Sequence, residues 1–215
     1  MHIIGRNKEI KLLNEKLASD NPEFIALYGR RRIGKTYLVR NVFEDKFTFR
    51  LTGLAKATLQ EQLTNFNIVL QEQHPQFKHK KAKNWMEAFQ QIKWVIEKSK
   101  QKKKIIFIDE LPWFDTAHSR FIQALEHFWN SWASNRKDVL LIVCGSAASW
   151  MINKLINNKG GLHNRVTQRL KIEPFTLNEC QDLLKHKKIT LNYYQLIQLY
   201  MTLGGIPFYW DALKK

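Results

Sequence analysis

The octapeptide GRRRIGKT, Gly29 to Thr36, satisfies the spacing G-x-x-x-x-G-K-[ST] in full, and no other stretch limits the fold so tightly. Such a loop works in one setting. A buried strand must lead into it and a helix must leave it, so that backbone N–H groups and the helix N-terminus converge on a phosphate. The flanks supply both: EFIALY is a short apolar run ended by glycine, and the residues after Lys35 carry a helical apolar pattern. The glycines let the loop curl around a β-phosphate. Lys35 is placed to neutralise β/γ oxygens, and Thr36 to give its hydroxyl to Mg²⁺. A basic turn of similar composition is the competing reading, and the setting argues against it. The expected nucleotide contacts are Gly29, Arg32, Ile33, Gly34, Lys35, Thr36 and Tyr37. Arg30, Arg31 and Arg32 sit at tolerant positions, either exposed or touching phosphates or a partner.

A second motif bears on hydrolysis. KKIIFIDE reads as a buried strand ending in two acids. Asp109 at its carboxyl end suits the Mg²⁺ shell, and Glu110 suits the polarisation of an attacking water. Alone, an apolar run followed by Asp-Glu is equally a solvated strand end. Ser146, at the end of LLIVCGS, either contacts the γ-phosphate or the attacking water, or simply caps the next helix.

The remaining pattern alternates. Helices are expected from Asn7 to Ala18, from near Lys35, and over TLQEQLTNFNIVLQEQ, NWMEAFQQIKWVIEKS and HSRFIQALEHFWNSWAS. Strands are expected at EFIALYG, KFTFRLTG, KKIIFIDE, DVLLIVCGS and RLKIEPF. The alternation predicts an α/β fold: a five-stranded parallel sheet flanked by helices, in a P-loop nucleotide-binding domain over residues 1–174. After Pro174 the chain turns helical. TLNECQDLLKH opens with a Thr-x-x-Glu capping box at Thr176 and Glu179, and NYYQLIQLYMTLGG ends in glycines, so residues 175–215 read as the start of a helical lid.

Charge is the abnormal part of the composition. Thirty-five Lys and Arg against nineteen Asp and Glu leave +16, which favours phosphates, nucleic acid or an acidic partner. Much of the excess lies in KHKKAK (Lys78 to Lys83) and KSKQKKK (Lys98 to Lys104), either solvated faces or a polyanion surface. Cys144 and Cys180 are too few and too far apart for a disulfide framework or a zinc site, which fits a reducing cytoplasm. No run has the length of a membrane span or the shape of a signal peptide, so a cytoplasmic chain with no membrane partner is expected.

Together these residues resemble P-loop ATPases of the ASCE division, whose acid-glutamate pair lies on a strand not adjacent to the P-loop strand. More narrowly, the chain is similar to the archaeal-type ATPase family, related to the AAA+ and STAND groups. IIGRNKEI resembles that group's Gly-Arg-Glu-x-Glu box, with Asn7 in place of the usual Glu. GRRRIGKT, FIDELPW, GSAASWM and LGGIPFYW resemble its other motifs, so the likeness runs from Ile3 to Trp210. It implies ATP with Mg²⁺ as ligands, Ile4, Gly5 and Arg6 near the adenine, and Gly205, Ile206 and Pro207 closing over the nucleotide. For IIGRNKE a plain helix start remains the alternative, and for GGIP a helix stop and turn. The resemblance also implies an arginine finger acting on a neighbouring subunit, with Arg165 and Arg169 as candidates. Members commonly continue past the lid, so this chain is expected to be either naturally short or truncated, and in the second case to lack a C-terminal effector domain.

The leading expectation is an ATPase that binds ATP and releases ADP, slowly where no partner supplies an arginine, and that acts alone or as a homo-oligomer. The alternative is an ATP-switched DNA-binding or regulatory module with little hydrolysis. A kinase of a small substrate is weaker, because the Asp-Glu pair favours water as nucleophile.

Overall fold

The computed structural model describes residues 3–77, 80–157 and 160–214. Five strands, β1 (Glu23–Tyr28), β2 (Phe47–Thr52), β3 (Lys104–Asp109), β4 (Val139–Gly145) and β5 (Gln168–Lys171), form one sheet in the order β2-β3-β4-β1-β5. Every pairing is parallel. β4 therefore lies between the loop strand β1 and the acid strand β3, as the ASCE resemblance implied.

Both faces of the sheet are covered, which explains why the central strands read as unbroken apolar runs rather than alternating ones. Successive side chains take opposite faces. Phe24, Ala26, Ile106 and Ile108 join α3 (Leu59–Gln73), α4 (Trp85–Lys98) and α5 (Phe121–Ser131) in one core. Ile25, Leu27, Ile105 and Phe107 join α1 (Asn7–Ala18) and α2 (Lys35–Phe43) in the other. The first core is aromatic: Trp85 meets Phe121 edge-on at 4.8 Å, and Phe114 stacks on Phe121 at the same distance.

α5 starts later than the sequence pattern suggests. His118 and Arg120 adopt left-handed backbone, so HSR forms a turn, and Ser119 Oγ accepts the Phe121 N–H at the helix entry. Its end also comes early, with Trp132 beyond the helix. After β4 the chain makes the short helix α6 (Ala148–Trp150), which continues as a π-helical turn over Met151–Ile156.

The C-terminal region has its own small core of Phe175, Cys180, Leu183, Leu184, Leu196 and Trp210. Its helices α7 (Leu177–His186) and α8 (Tyr193–Leu203) begin with capping boxes, Thr176 with Glu179 and Asn192 with Gln195. A further helix, α9 (Pro207–Asp211), starts at the last residue of GGIP, for which a helix stop and turn is the alternative reading. Proline at its first position needs no N–H partner there, and the Trp210 indole N–H donates back to the Gly204 carbonyl.

The lysine run before β3 has structural work. Lys103 Nζ donates to the carbonyls of Ser19, Asn21 and Lys137, and Lys104 pairs with Asp138 at 2.9 Å. Lys98, Lys100 and Lys102 are exposed. In the other run, Lys78 and His79 lie outside the described residues, while Lys80, Lys81 and Lys83 are exposed.

Candidate functional site

The loop between β1 and α2 leaves the carboxyl end of the sheet, where open α/β folds place ligands. Gly34 enters α2 at φ 88°, a conformation that suits glycine and lets the helix start point its N–H groups into the loop. Lys35 is buried, and its Nζ donates to the carbonyls of Gly29 at 3.0 Å and Arg30 at 2.9 Å. Thr36 Oγ1 donates to Asp109 Oδ2 at 2.7 Å. That bond joins residues 73 positions apart across the intervening strand, and it brings the two expected metal-binding groups together.

Glu110 follows with left-handed backbone, φ 51° and ψ 48°, at a cost of roughly 1–2 kcal/mol for a residue with a Cβ. Its N–H donates to Asp109 Oδ1 at 3.0 Å. The turn aims its carboxylate at the end of β4. There, Glu110 Oε2 accepts the Ser146 hydroxyl at 2.9 Å and the Ser146 N–H at 3.3 Å. In this structure Ser146 thus holds the expected base.

A cavity of about 540 Å³ opens beside these groups. From the expected set it is lined by Ile4, Arg6, Arg32, Ile33, Gly34, Lys35, Thr36, Tyr37, Glu110 and Pro207. Ile3, Arg31, Phe175, Leu183, His186, Phe208 and Asp211 line it as well, and of these the sequence points only to Arg31, as one of three loop arginines either exposed or touching phosphates or a partner. The Leu183 and His186 spacing, three apart on α7, was the one available signal for the helical wall.

Arg6 ties three parts of the chain together. Its guanidinium donates to the Ile33 carbonyl at 3.3 Å, pairs with Glu9 at 3.4 Å and sits 4.7 Å over the Phe175 ring. Its N–H donates to Glu179 Oε1 at 3.2 Å, so a carboxylate of the C-terminal region seats the N-terminal box. Gly5 beside it has φ 67°, and a Cβ there would stand 2.7 Å from that carboxylate. Burial pushes the Glu179 carboxyl up, but the Thr176 and Arg6 N–H groups and the Thr176 hydroxyl outweigh it and leave the group below the usual glutamate range.

Arg32 turns away from the phosphate loop. Its backbone is left-handed, and its guanidinium donates to the Tyr209 hydroxyl at 3.2 Å and lies 4.6 Å over Phe208. The expected nucleotide contact is thus engaged by α9. Arg165, expected to act on a neighbouring subunit, does not reach the site of its own chain. It is exposed just before β5, where the Thr167 N–H pairs with the Phe24 carbonyl near the start of β1, at the sheet's opposite end from the loop. Arg169 is exposed on the edge strand β5. Cys144 and Cys180 are buried thiols. Burial pushes both up, Cys180 to about 12, which removes them as thiolate ligands or nucleophiles.

The sequence model of one family, described as an ATPase domain predominantly from Archaea, matches residues 3–213. The chain belongs to that family. Among curated relatives of this archaeal ATPase domain, an uncharacterized protein of Methanocaldococcus jannaschii is 31% identical over 211 residues. That match takes in 98% of this chain and 44% of the relative, so the chain spans less than half of that protein's length. An uncharacterized ATP-binding protein of the same organism is 40% identical over 43 residues, 20% of this chain and 73% of the relative. Two solved structures share the fold. A Walker-type ATPase of Pyrococcus abyssi gives a TM-score of 0.68 at 17% identity, over 97% of this chain and 65% of that one. A signal transduction ATPase with numerous domains and a tetratricopeptide-repeat sensor, from Pyrococcus horikoshii, gives 0.61 at 15% identity, over 98% and 29%. The domain is a P-loop ATPase fold with a helical C-terminal region, and no helix among the described residues is long and apolar enough to cross a membrane.

Proposed function

We propose that this domain binds Mg²⁺-ATP in the cavity beside Lys35 and hydrolyses it to ADP and phosphate, with the helical region responding to the bound nucleotide. The observation that carries the reading is the Thr36–Asp109 bond at 2.7 Å, with Glu110 next in sequence and lining the same cavity as the loop. A hydroxyl and a carboxylate are hard oxygen donors, which suits Mg²⁺. Among the described residues no group of three or more His, Cys, Asp or Glu gathers, so a metal here relies on substrate phosphates for its remaining contacts. When bound, Mg²⁺ supplies charge neutralisation at the phosphate oxygens.

The chain's own groups then have defined tasks. Lys35 exchanges two loop carbonyls for phosphate oxygens, which is a modest rearrangement because its ammonium already lies within the loop. The α2 N-terminus adds backbone N–H groups without further reorganisation. Glu110 takes a proton from the attacking water once its carboxylate is shared with or released by Ser146. The adenine would take the apolar part of the cavity, which Ile3, Ile4, Phe175, Pro207 and Phe208 help to line.

Phosphate release with Mg²⁺-ATP tests this. Glu110→Gln should bind ATP normally and release phosphate at least about 100-fold more slowly, the usual scale for loss of a general base. Lys35→Ala should lose nucleotide binding. Equal phosphate release by Glu110→Gln would remove the glutamate from the mechanism, and normal affinity in Lys35→Ala would remove the site.

A further inference from the structure

Phosphoryl transfer depends on positive charge set against the terminal phosphate, and Arg165, which the family resemblance implies for a neighbouring subunit, stands at the far end of the sheet from its own loop. Three other arginines line the cavity: Arg6, Arg31 and Arg32. Two are committed. Arg6 is buried against Ile33, Glu9 and Phe175, and Arg32 is held by Tyr209 and Phe208. Arg31 differs. It is exposed, it shares the cavity wall with Lys35, Thr36 and Glu110, and among the described residues its guanidinium has no hydrogen bond, ion pair or ring contact.

The left-handed backbone at Arg32 accounts for the divergence of the two neighbours. It swings the Arg32 side chain to α9 and leaves that of Arg31 at the loop. A guanidinium stays protonated and offers a planar fork that matches phosphate oxygens, so a partnerless one at a phosphate loop is a ready contact for an anion.

We propose that Arg31 contacts the terminal phosphate of bound ATP within the same chain and stabilises the charge that develops as it transfers. This rests on the ATPase reading above. Water attacks the γ-phosphorus, the bond from that phosphorus to the β,γ-bridging oxygen breaks, and ADP leaves with the electron pair while Glu110 takes the water's proton. Arg31 makes and breaks no covalent bond, and its hydrogen bonds tighten on the transferring group.

Two measurements decide it, with Mg²⁺-ATP and Mg²⁺-ADP as probes. In Arg31→Ala, affinity for ATP should fall about tenfold while that for ADP changes less than about twofold, because ADP lacks the group contacted. The kcat should fall roughly 100- to 1,000-fold, the scale for removing one charge-stabilising donor, and Arg31→Lys should recover part of it. Excess Lys35→Ala protein, which keeps Arg31, should not restore the activity of Arg31→Ala. Rescue by that protein would place the arginine in a neighbouring subunit and overturn the proposal. So would an Arg31→Ala chain with the wild-type ATP/ADP preference and rate. Those outcomes leave the ATPase reading intact, whereas a wild-type chain that binds neither nucleotide overturns both. Arg31 is exposed and unpartnered, so an unchanged melting temperature is expected for both variants.

Discussion

At the scale of single residues, three of the expected nucleotide-site groups are satisfied by protein atoms. Lys35 has loop carbonyls, Thr36 has Asp109, and Glu110 has Ser146. None is left as an unpaired charge, which is a strong requirement for polar groups this close to a core. Ser146 does not cap the helix that follows it, and its hydroxyl donates to Glu110 beside the place expected for the attacking water. Ser146→Ala removes one of two donors to the glutamate and leaves the backbone N–H. If the hydroxyl mainly restrains Glu110, phosphate release at saturating ATP should rise a few-fold. If it also serves the attacking water, kcat falls with KM unchanged, and steady-state kinetics separate the two.

At the scale of elements, α9 is the least legible part and the most informative. For Gly204 to Pro207 a helix stop and turn is the alternative reading, and a helical turn follows directly, with Trp210 wholly buried in the C-terminal core. That burial orients Phe208 and Tyr209 onto Arg32. Under the proposed function, a loop that rearranges around phosphate would pull on the helical region through this contact. Tyr209→Phe keeps the ring and loses the hydrogen bond, while Phe208→Ala loses most of the stacking. The second change should alter the nucleotide-dependent shift in Trp210 fluorescence more than the first, since a cation–ring contact of this kind is worth about 0.5–1 kcal/mol at an exposed site. An identical shift in both variants and the wild type would mean that the contact transmits nothing.

At the scale of the whole molecule, Glu179 joins the two ends of the chain, because it accepts N–H donors from Arg6 and from its own helix entry. Its carboxyl lies below the usual range near 4.5. A group lowered in the folded state stabilises it above the unfolded value, and that contribution is lost as pH falls through the folded value. Glu179→Gln should therefore be less stable than wild type near neutral pH, with the gap in urea midpoint closing as pH drops below about 4.5. A gap that stays constant with pH would show that the charge plays no part. Much of this chain was readable before any coordinates: the loop spacing, the five strands and the capping box at Thr176 depend on neighbours within a few residues, and local period and turn chemistry decide them. Direction and partnership were not readable. Which arginine of Arg30 to Arg32 meets the C-terminal helices, that Ser146 holds Glu110, and that Arg165 lies at the far end of the sheet from its own loop all depend on contacts 36 to 177 positions apart. Such contacts exist only once the sheet order has put β4 between β1 and β3 and folded the last helices back over the loop.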